Sequence, residues 1–548
     1  MTVSDLELAI RERARNVIVD ASAGTGKTKF VVDRLIELVA PTDGRDPIPI
    51  DRIAAITFTR KAAGELRVRV RQRILESLAD LSPDAARSAP LLRALGGIDT
   101  AHIGTIHGFA DRLLRKWPAQ ARLDPRYELV EDDSVLSDEC FQLLLHAAET
   151  RTLADLLRGS IIEDRSAETI ATILDFQRAG LRLRSLETEH WTYHGLDGLI
   201  AGFILRRDIE SPELAEHDFD LPTFRRYADE YLGLVDGLSA ETSGGRWLLD
   251  TAEVLRALEA ETDAALLFRE LVDRLERGPR GRMSDSPRKA QDFTDDPRAW
   301  GVWKALEGDE RRARVREGSL RDDLLAPLRR WMASRLARLR PVVLLLYDLV
   351  KARRQVVDHV DLLLRLRNLL RDDRGVRRSC QRLFDHVFVD EFQDTDPLQA
   401  EIVMFLCENG TEAATWAVVK LVPGAITVVG DPKQSIYRFR RADIGTYQRV
   451  LEIIERSPHL SVTLASSYRS TPSLVDWLND RFHEILGSSE HGERFRRETG
   501  DVFYQPLTHG RTFGMAPAVH AVHAVAMELV TGGTVADYRA LEAEVMSR

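Results

Sequence analysis

Short apolar runs rich in β-branched residues recur along the chain, at 17–19, 53–58, 102–107, 387–389, 426–429 and 460–464. Each lies near a turn or a glycine, and several lead into helical spacing, as in the segments that begin at Phe30 and Ala62. That alternation predicts an α/β domain with a mostly parallel sheet flanked by helices. From about Pro118 to Arg340 the pattern changes. Leu, Ala, Arg and Glu dominate at helical spacing, as in 143–157 and 249–275, which predicts a large all-helical insertion interrupted by loops near 278–296. The stretch 345–370 predicts helix again, leading back into the sheet. The expected division is therefore 1–117, 118–340, 341–460 and 461–548, with no internal repeat.

Length and charge narrow the picture. A chain of 548 residues exceeds one core, so roughly two to four domains are expected. A hydrophobic fraction of 44% with 30% charged residues describes a globular protein. The net charge of −10 excludes non-specific coating of nucleic acid, so any such contact must use local basic surface. Cys140, Cys380 and Cys407 lack ligand spacing and argue against a disulfide framework or a zinc or iron–sulfur site. The first residues, M-T-V-S-D-L-E-L, carry no secretory pattern, and the longest apolar run, 342–347, is too short to span a bilayer. No membrane partner and a cytoplasmic location are expected.

Chemistry enters at two places far apart in the chain. Between a strand near 16–20 and a helix near 30–39 lies A-S-A-G-T-G-K-T, Ala21, Ser22, Ala23, Gly24, Thr25, Gly26, Lys27 and Thr28. Gly24 and Gly26 let backbone N–H groups turn around phosphate oxygens, Lys27 supplies a point charge, and Thr28 offers a hydroxyl to Mg²⁺. The strict phosphate-loop pattern fails only at its first position, Ala21. The second place is V-D-E-F-Q-D-T-D-P-L-Q at 389–399. Asp390 and Glu391 end an apolar strand, where one acid can hold Mg²⁺ and the other an attacking water. The alternatives are a plain glycine turn and a solvated acidic pair. Beyond them lies V-G-D-P-K-Q-S-I-Y-R-F-R at 429–440. Gln434 there can contact a γ phosphate, and Tyr437 and Phe439, beside Arg440, can stack on bases.

These segments, with I-T-F-T-R-K-A-A-G-E-L at 56–66, G-T-I-H-G-F at 104–109 and S-Y-R-S at 467–470, occur in an order that resembles the UvrD/Rep-type superfamily 1 DNA helicases, closest to the RecB and AddA branch. The resemblance covers about residue 5 to 480. It implies a RecA-like ATP-binding domain in two parts, 1–117 and 341–460, and the start of a second RecA-like domain at 461–548. It implies ATP and Mg²⁺ as cofactors, and single-stranded DNA and single/double-strand junctions as partners. A helicase–nuclease partner subunit, or a polypeptide supplying further motifs, would also fit. By the same resemblance Asp390 and Thr28 hold the metal, Glu391 is the catalytic base, Gln434 senses the γ phosphate and Arg469 reaches it from across the cleft. Tyr468 stacks near adenine. Phe58, Thr105, His107, Tyr437, Phe439 and Arg440 line the DNA path.

The sequence departs from that family at two points. Residues 5–15 contain no glutamine to read adenine, and nothing after Ser470 resembles the family's remaining motifs. The expectation is that these residues alone bind Mg-ATP weakly with little DNA-stimulated turnover. An ATP-driven helicase subunit therefore stands beside an ATP-gated DNA-binding module without motor activity, and beside a phosphate-loop enzyme of another kind. The arginine-rich stretches 67–73 and 311–340 fit either a DNA-facing surface or solvated helix faces with intermingled acids.

Overall fold

The computed structural model describes residues 3–82, 85–149, 186–187, 192–193, 195–205, 207, 219–239, 242–277, 297–307, 319–337, 340–437, 441–487, 489, 494–495 and 501–510. The chain divides into two compact units, one of Met1–Pro125 with Asp361–Arg548, the other Arg126–Val360.

The first unit is α/β. Among the described residues its main sheet has six strands, β1 (Asn16–Ala21), β2 (Ile53–Thr57), β3 (His102–Thr105), β4 (His386–Val389), β5 (Ile426–Gly430) and β6 (His459–Leu464). Their order is β6-β1-β5-β4-β2-β3, and every pairing is parallel. The six predicted runs all fall in this one sheet. Strands β1, β2, β4 and β5 are buried along their whole length, as a parallel sheet covered on both faces requires. Val17, Val19, Phe30, Leu35, Ile53 and Phe388 belong to one continuous core. At the N-terminal edge Asn16 ties strands together: its Oδ1 accepts the Ile426 N–H at 3.2 Å and its Nδ2 donates to Ser457 Oγ at 2.9 Å.

Two helix starts fix where strands end. The run 102–107 stops as strand at Thr105, whose hydroxyl accepts the Gly108 N–H at 3.2 Å and caps the helix Ile106–Leu114. Thr59 does the same for the helix Arg60–Ala79 that follows β2, accepting the Ala62 N–H at 3.0 Å.

The second unit is helical. Its elements include Ser134–Glu149, Gly195–Leu205, Leu221–Val235, Ser243–Ala257, Ala264–Arg277, Pro297–Glu307, Leu320–Ala337 and Arg340–Arg354. Tyr231, Phe268, Trp303, Leu325, Met332 and Tyr347 lie in its core. The predicted helix at 249–275 is two helices that break between Ala257 and Ala264. The predicted helix at 345–370 is also interrupted. Gln355 turns the backbone left-handed at φ 55°, and Val356–Asp358 forms a short strand parallel to Glu128–Val130. Two adjacent β-branched residues after that turn favour strand over helix. The arginines at 321 and 329 do not face solvent: both are buried beside Asp322, Arg329 at 3.2 Å and Arg321 at 3.8 Å. Among the described residues, no helix is long and apolar enough to cross a membrane.

Candidate active site

The C-terminal tips of β1, β4 and β5 carry the predicted motifs. Beyond Ala21 the chain turns through Ser22, Ala23, Gly24, Thr25 and Gly26 into the helix Lys27–Val39. Gly24 and Gly26 take φ of 77° and 95°, a region that side-chain-bearing residues resist. Thr25 closes the loop, its hydroxyl donating to the Ser22 carbonyl at 2.8 Å. Gly26 starts the helix without any side-chain cap. The first-turn N–H groups are therefore left to an external acceptor, which is the arrangement that binds phosphate. Thr28, one residue into the helix, is half-buried.

Lys27 reaches the tip of β4. Its Nζ lies 2.7 Å from Glu391 Oε2, joining residues 364 apart in sequence. Glu391 itself sits at φ 52°, ψ 45°, a left-handed conformation that costs a non-glycine residue roughly 1–2 kcal/mol. Its N–H donates to Asp390 Oδ1 at 3.0 Å, and the Asp390 N–H donates to Ile56 O on β2 at 2.9 Å. Gln393 has no role that its sequence position suggests, yet it links the motifs. Its Nε2 donates to Glu391 Oε2 at 2.8 Å, and its Oε1 accepts the Asp431 N–H at 3.0 Å. Gly430 permits this approach, since a Cβ there would lie 3.0 Å from Gln393 Oε1. The D-E-F-Q-D spelling shows the glutamine; only the fold shows what it bridges.

The acids are under-compensated. Burial, then the neighbouring Glu391 charge, pushes the Asp390 carboxyl up to about 6. The same two causes push Asp394 up to about 6. Asp394 Oδ1 is buried without a hydrogen-bond partner among the described residues. Three carboxylates thus face one lysine, and a divalent cation suits that balance. No cluster of three or more His, Cys, Asp or Glu converges as a protein-only metal cage among the described residues. Asp396 has a structural task instead: it caps the helix Pro397–Leu406 by accepting the Gln399 N–H at 2.8 Å.

The other expected residues divide. The Gln434 side chain turns to Asp431, donating to Oδ2 at 2.6 Å, and Lys433 pairs with Oδ1 of the same residue at 2.9 Å. The S-Y-R-S segment packs on the glycine loop. The Tyr468 N–H donates to Gly24 O at 2.9 Å, and a Cβ on Gly24 would come within 2.5 Å of Arg469 Cβ. Glycine at 24 is thus required by contact as well as by φ. Tyr468 is 56% exposed. Phe58 and Tyr437 are half-buried with ring centroids 5.2 Å apart. Thr105 spends its hydroxyl on the helix cap, and His107 is half-buried in that helix. Phe439 and Arg440 lie outside the described residues. In the 67–73 stretch Arg71 pairs with Asp99 at 2.7 Å and Arg73 with Asp33 at 3.1 Å.

Comparison with known proteins bears on this arrangement. A family model described as the UvrD/REP helicase N-terminal domain matches residues 4–242 and 248–454. An ATP-dependent helicase/nuclease subunit from Geobacillus thermodenitrificans is 26% identical over 542 residues, covering 90% of this chain and 40% of that protein. The protein of the same description from Listeria monocytogenes is 26% identical over 511 residues, covering 87% of this chain and 39% of its own length. The counterpart from Levilactobacillus brevis is 26% identical over 533 residues, with coverages of 90% and 39%. The chain therefore spans about two fifths of the length of these curated relatives.

Proposed function

The chain belongs to the UvrD/REP helicase family, and on that premise we propose that it couples ATP hydrolysis to movement on single-stranded DNA in repair or recombination. The observation that carries the proposal is the Lys27–Glu391 contact of 2.7 Å, which brings the phosphate loop and the acidic strand end to one point. In this reading the N–H groups of the loop, with Lys27, hold the phosphates, and Lys27 exchanges its carboxylate partner for phosphate oxygens. Glu391 is then released to orient a water and accept its proton, while Gln393 keeps its carboxylate aligned. Mg²⁺ held by Asp390 and Thr28 would offset charge on the transferring phosphoryl group. Gln434 and Arg469 approach the γ phosphate, and Tyr468 packs against the base. In this reading a second RecA-like domain, expected from residue 461, begins only beyond β6, whose residues 461–464 pair with β1 in the first sheet. Phe58, Thr105, His107, Tyr437, Phe439 and Arg440 would contact the DNA strand, with the Phe58–Tyr437 ring pair as the firmest support.

The test is a Glu391→Gln substitution in the full chain. It should retain Mg-ATP binding while losing roughly 10²–10⁴-fold in turnover, as for loss of a general base. Turnover equal to the unsubstituted chain would remove Glu391 from the chemistry. Binding of a fluorescent single-stranded oligonucleotide tests the DNA half, and no binding with or without ATP would sink it.

A further inference from the structure

One carboxylate beside the phosphate loop has no part in the chemistry above. Asp20 is the residue of β1 immediately before Ala21, aligned between Gly430 of β5 and Thr463 of β6. It is 1% exposed. Its Oδ2 accepts from Arg494 Nε at 3.1 Å, while its Oδ1 is buried with no hydrogen-bond partner among the described residues. Arg494 also donates through Nη1 to Glu455 Oε1 at 3.1 Å, at the end of the helix Ile444–Glu455. Its placement is built by further contacts. The Phe503 N–H donates to Arg494 O at 2.9 Å. The neighbouring Phe495 ring lies edge-on to Tyr447 at 6.0 Å, and Tyr447 packs over Gly430, beside Asp20 in the sheet. Arg494 thus comes from a segment that follows S-Y-R-S and is seated on the strand that delivers the phosphate loop.

We infer that Arg494 is a positioning residue that neutralises Asp20, so that the loop's hold on a nucleoside polyphosphate depends on this segment being seated against β1. The inference rests on the nucleotide reading of the loop. A buried carboxylate one residue before a phosphate-binding loop repels the anion that the loop must hold, and burial weakens the screening. The carboxylate's countercharge comes from a residue 474 positions away. Loss of this pair therefore changes the local field at the loop without touching a phosphate contact. Tyr468 and Arg469 already tie the same region to Gly24, so the two sets of contacts act on one loop, at the strand before it and at its glycine turn.

Calorimetric titration of Mg-ATP and Mg-ADP into the full chain tests this, with melting curves recorded for every variant. Arg494→Gln is expected to weaken ATP binding roughly tenfold, by the size of one unscreened charge near the loop. The loss should be smaller for ADP, which carries less charge. Adding Asp20→Asn should restore ATP affinity to within about threefold of the unsubstituted chain. A purely structural ion pair predicts that affinity is lost and recovered only in step with the melting temperature, and that result, or a double variant no better than Arg494→Gln, overturns the proposal. Asp20→Asn alone should bind ATP at least as tightly as the unsubstituted chain, which keeps the idea testable should Arg494→Gln misfold; weaker binding counts against it. If the unsubstituted chain binds no Mg-ATP while remaining folded, the nucleotide reading fails and this proposal falls with it. Failure of the rescue alone leaves that reading standing.

Discussion

Two buried charge clusters, one in each unit, are built in opposite ways. In the helical unit, Asp358 is enclosed between Arg207 and the Tyr347 hydroxyl, which donates to its Oδ2 at 2.7 Å, and Lys351 Nζ lies 4.4 Å from the centre of the Tyr347 ring. Each member of that group is at most 5% exposed at its side chain or as a residue. Both oxygens of Asp358 are partnered within the unit, while Lys351 pairs outward with the exposed Asp348 at 3.0 Å. At the strand tips of the α/β unit the balance is left open: Lys27 faces Glu391 with side-chain exposures of 11% and 35%, and Asp390 and Asp394 stand nearby with raised pKa. A self-satisfied buried group holds a fold together. A partly exposed, under-compensated one is prepared for a ligand.

The sharpest way to break that contrast is to remove Asp358. Asp358→Ala leaves a buried guanidinium without its carboxylate, which costs about 3–5 kcal/mol of stability. Denaturant unfolding of the full chain should show the loss, with ATP affinity unchanged wherever the protein remains folded. An unshifted unfolding midpoint would show that the enclosed network is not structural. Lys27→Ala should do the reverse. ATP affinity should fall about 100-fold, or ~2.7 kcal/mol, while melting changes little, because a partly exposed Glu391 can be hydrated once its partner is gone. Calorimetry that finds the affinity unaltered would refute the phosphate-loop assignment.

The same contrast explains what was legible in the sequence. The strand runs and motifs of the α/β unit are local. Gly24, Gly26, Lys27 and the D-E pair announce themselves because backbone conformation and charge must occur at fixed spacing. Their partners are not local. Gln393 reaching Asp431, and Arg494 reaching Asp20, depend on the β-strand order, which no short window reveals. In the helical unit periodicity predicts helices, but it cannot see that Gln355 turns left-handed and admits a strand at Val356–Asp358. Nor can it see that Arg321 and Arg329 turn inward to Asp322, since an arginine-rich stretch reads the same whether its acids are partners or mere neighbours.

A smaller effect tests the proposed DNA contacts. Phe58 and Tyr437 touch at 5.2 Å between ring centres. If both stack on bases, either alanine substitution should weaken single-stranded DNA binding by about 1–3 kcal/mol. The double variant should lose less than the sum, because each ring also supports the other. Fluorescence anisotropy with a short oligonucleotide measures this, and full additivity would mean that the rings act apart.

The smallest expected effect separates stability from function within the site itself. Asp390 and Asp394 are both raised from the ordinary aspartate value of 3.8 to about 6, by burial first and by Glu391 second. A carboxyl raised on folding contributes stability that is fully present below 3.8 and lost as pH rises through about 6. The nucleotide-free chain should therefore gain on the order of 1 kcal/mol from these groups between about pH 7.5 and 5, after allowance for solvent screening. Metal binding needs the ionised form, so Mg-ATP affinity should fall over the same interval. The two curves should run in opposite directions through about pH 6, and Asp390→Asn should flatten its share of the stability gain. Curves that move together would mean that the strand-tip acids are compensated after all, as the enclosed acid of the helical unit is.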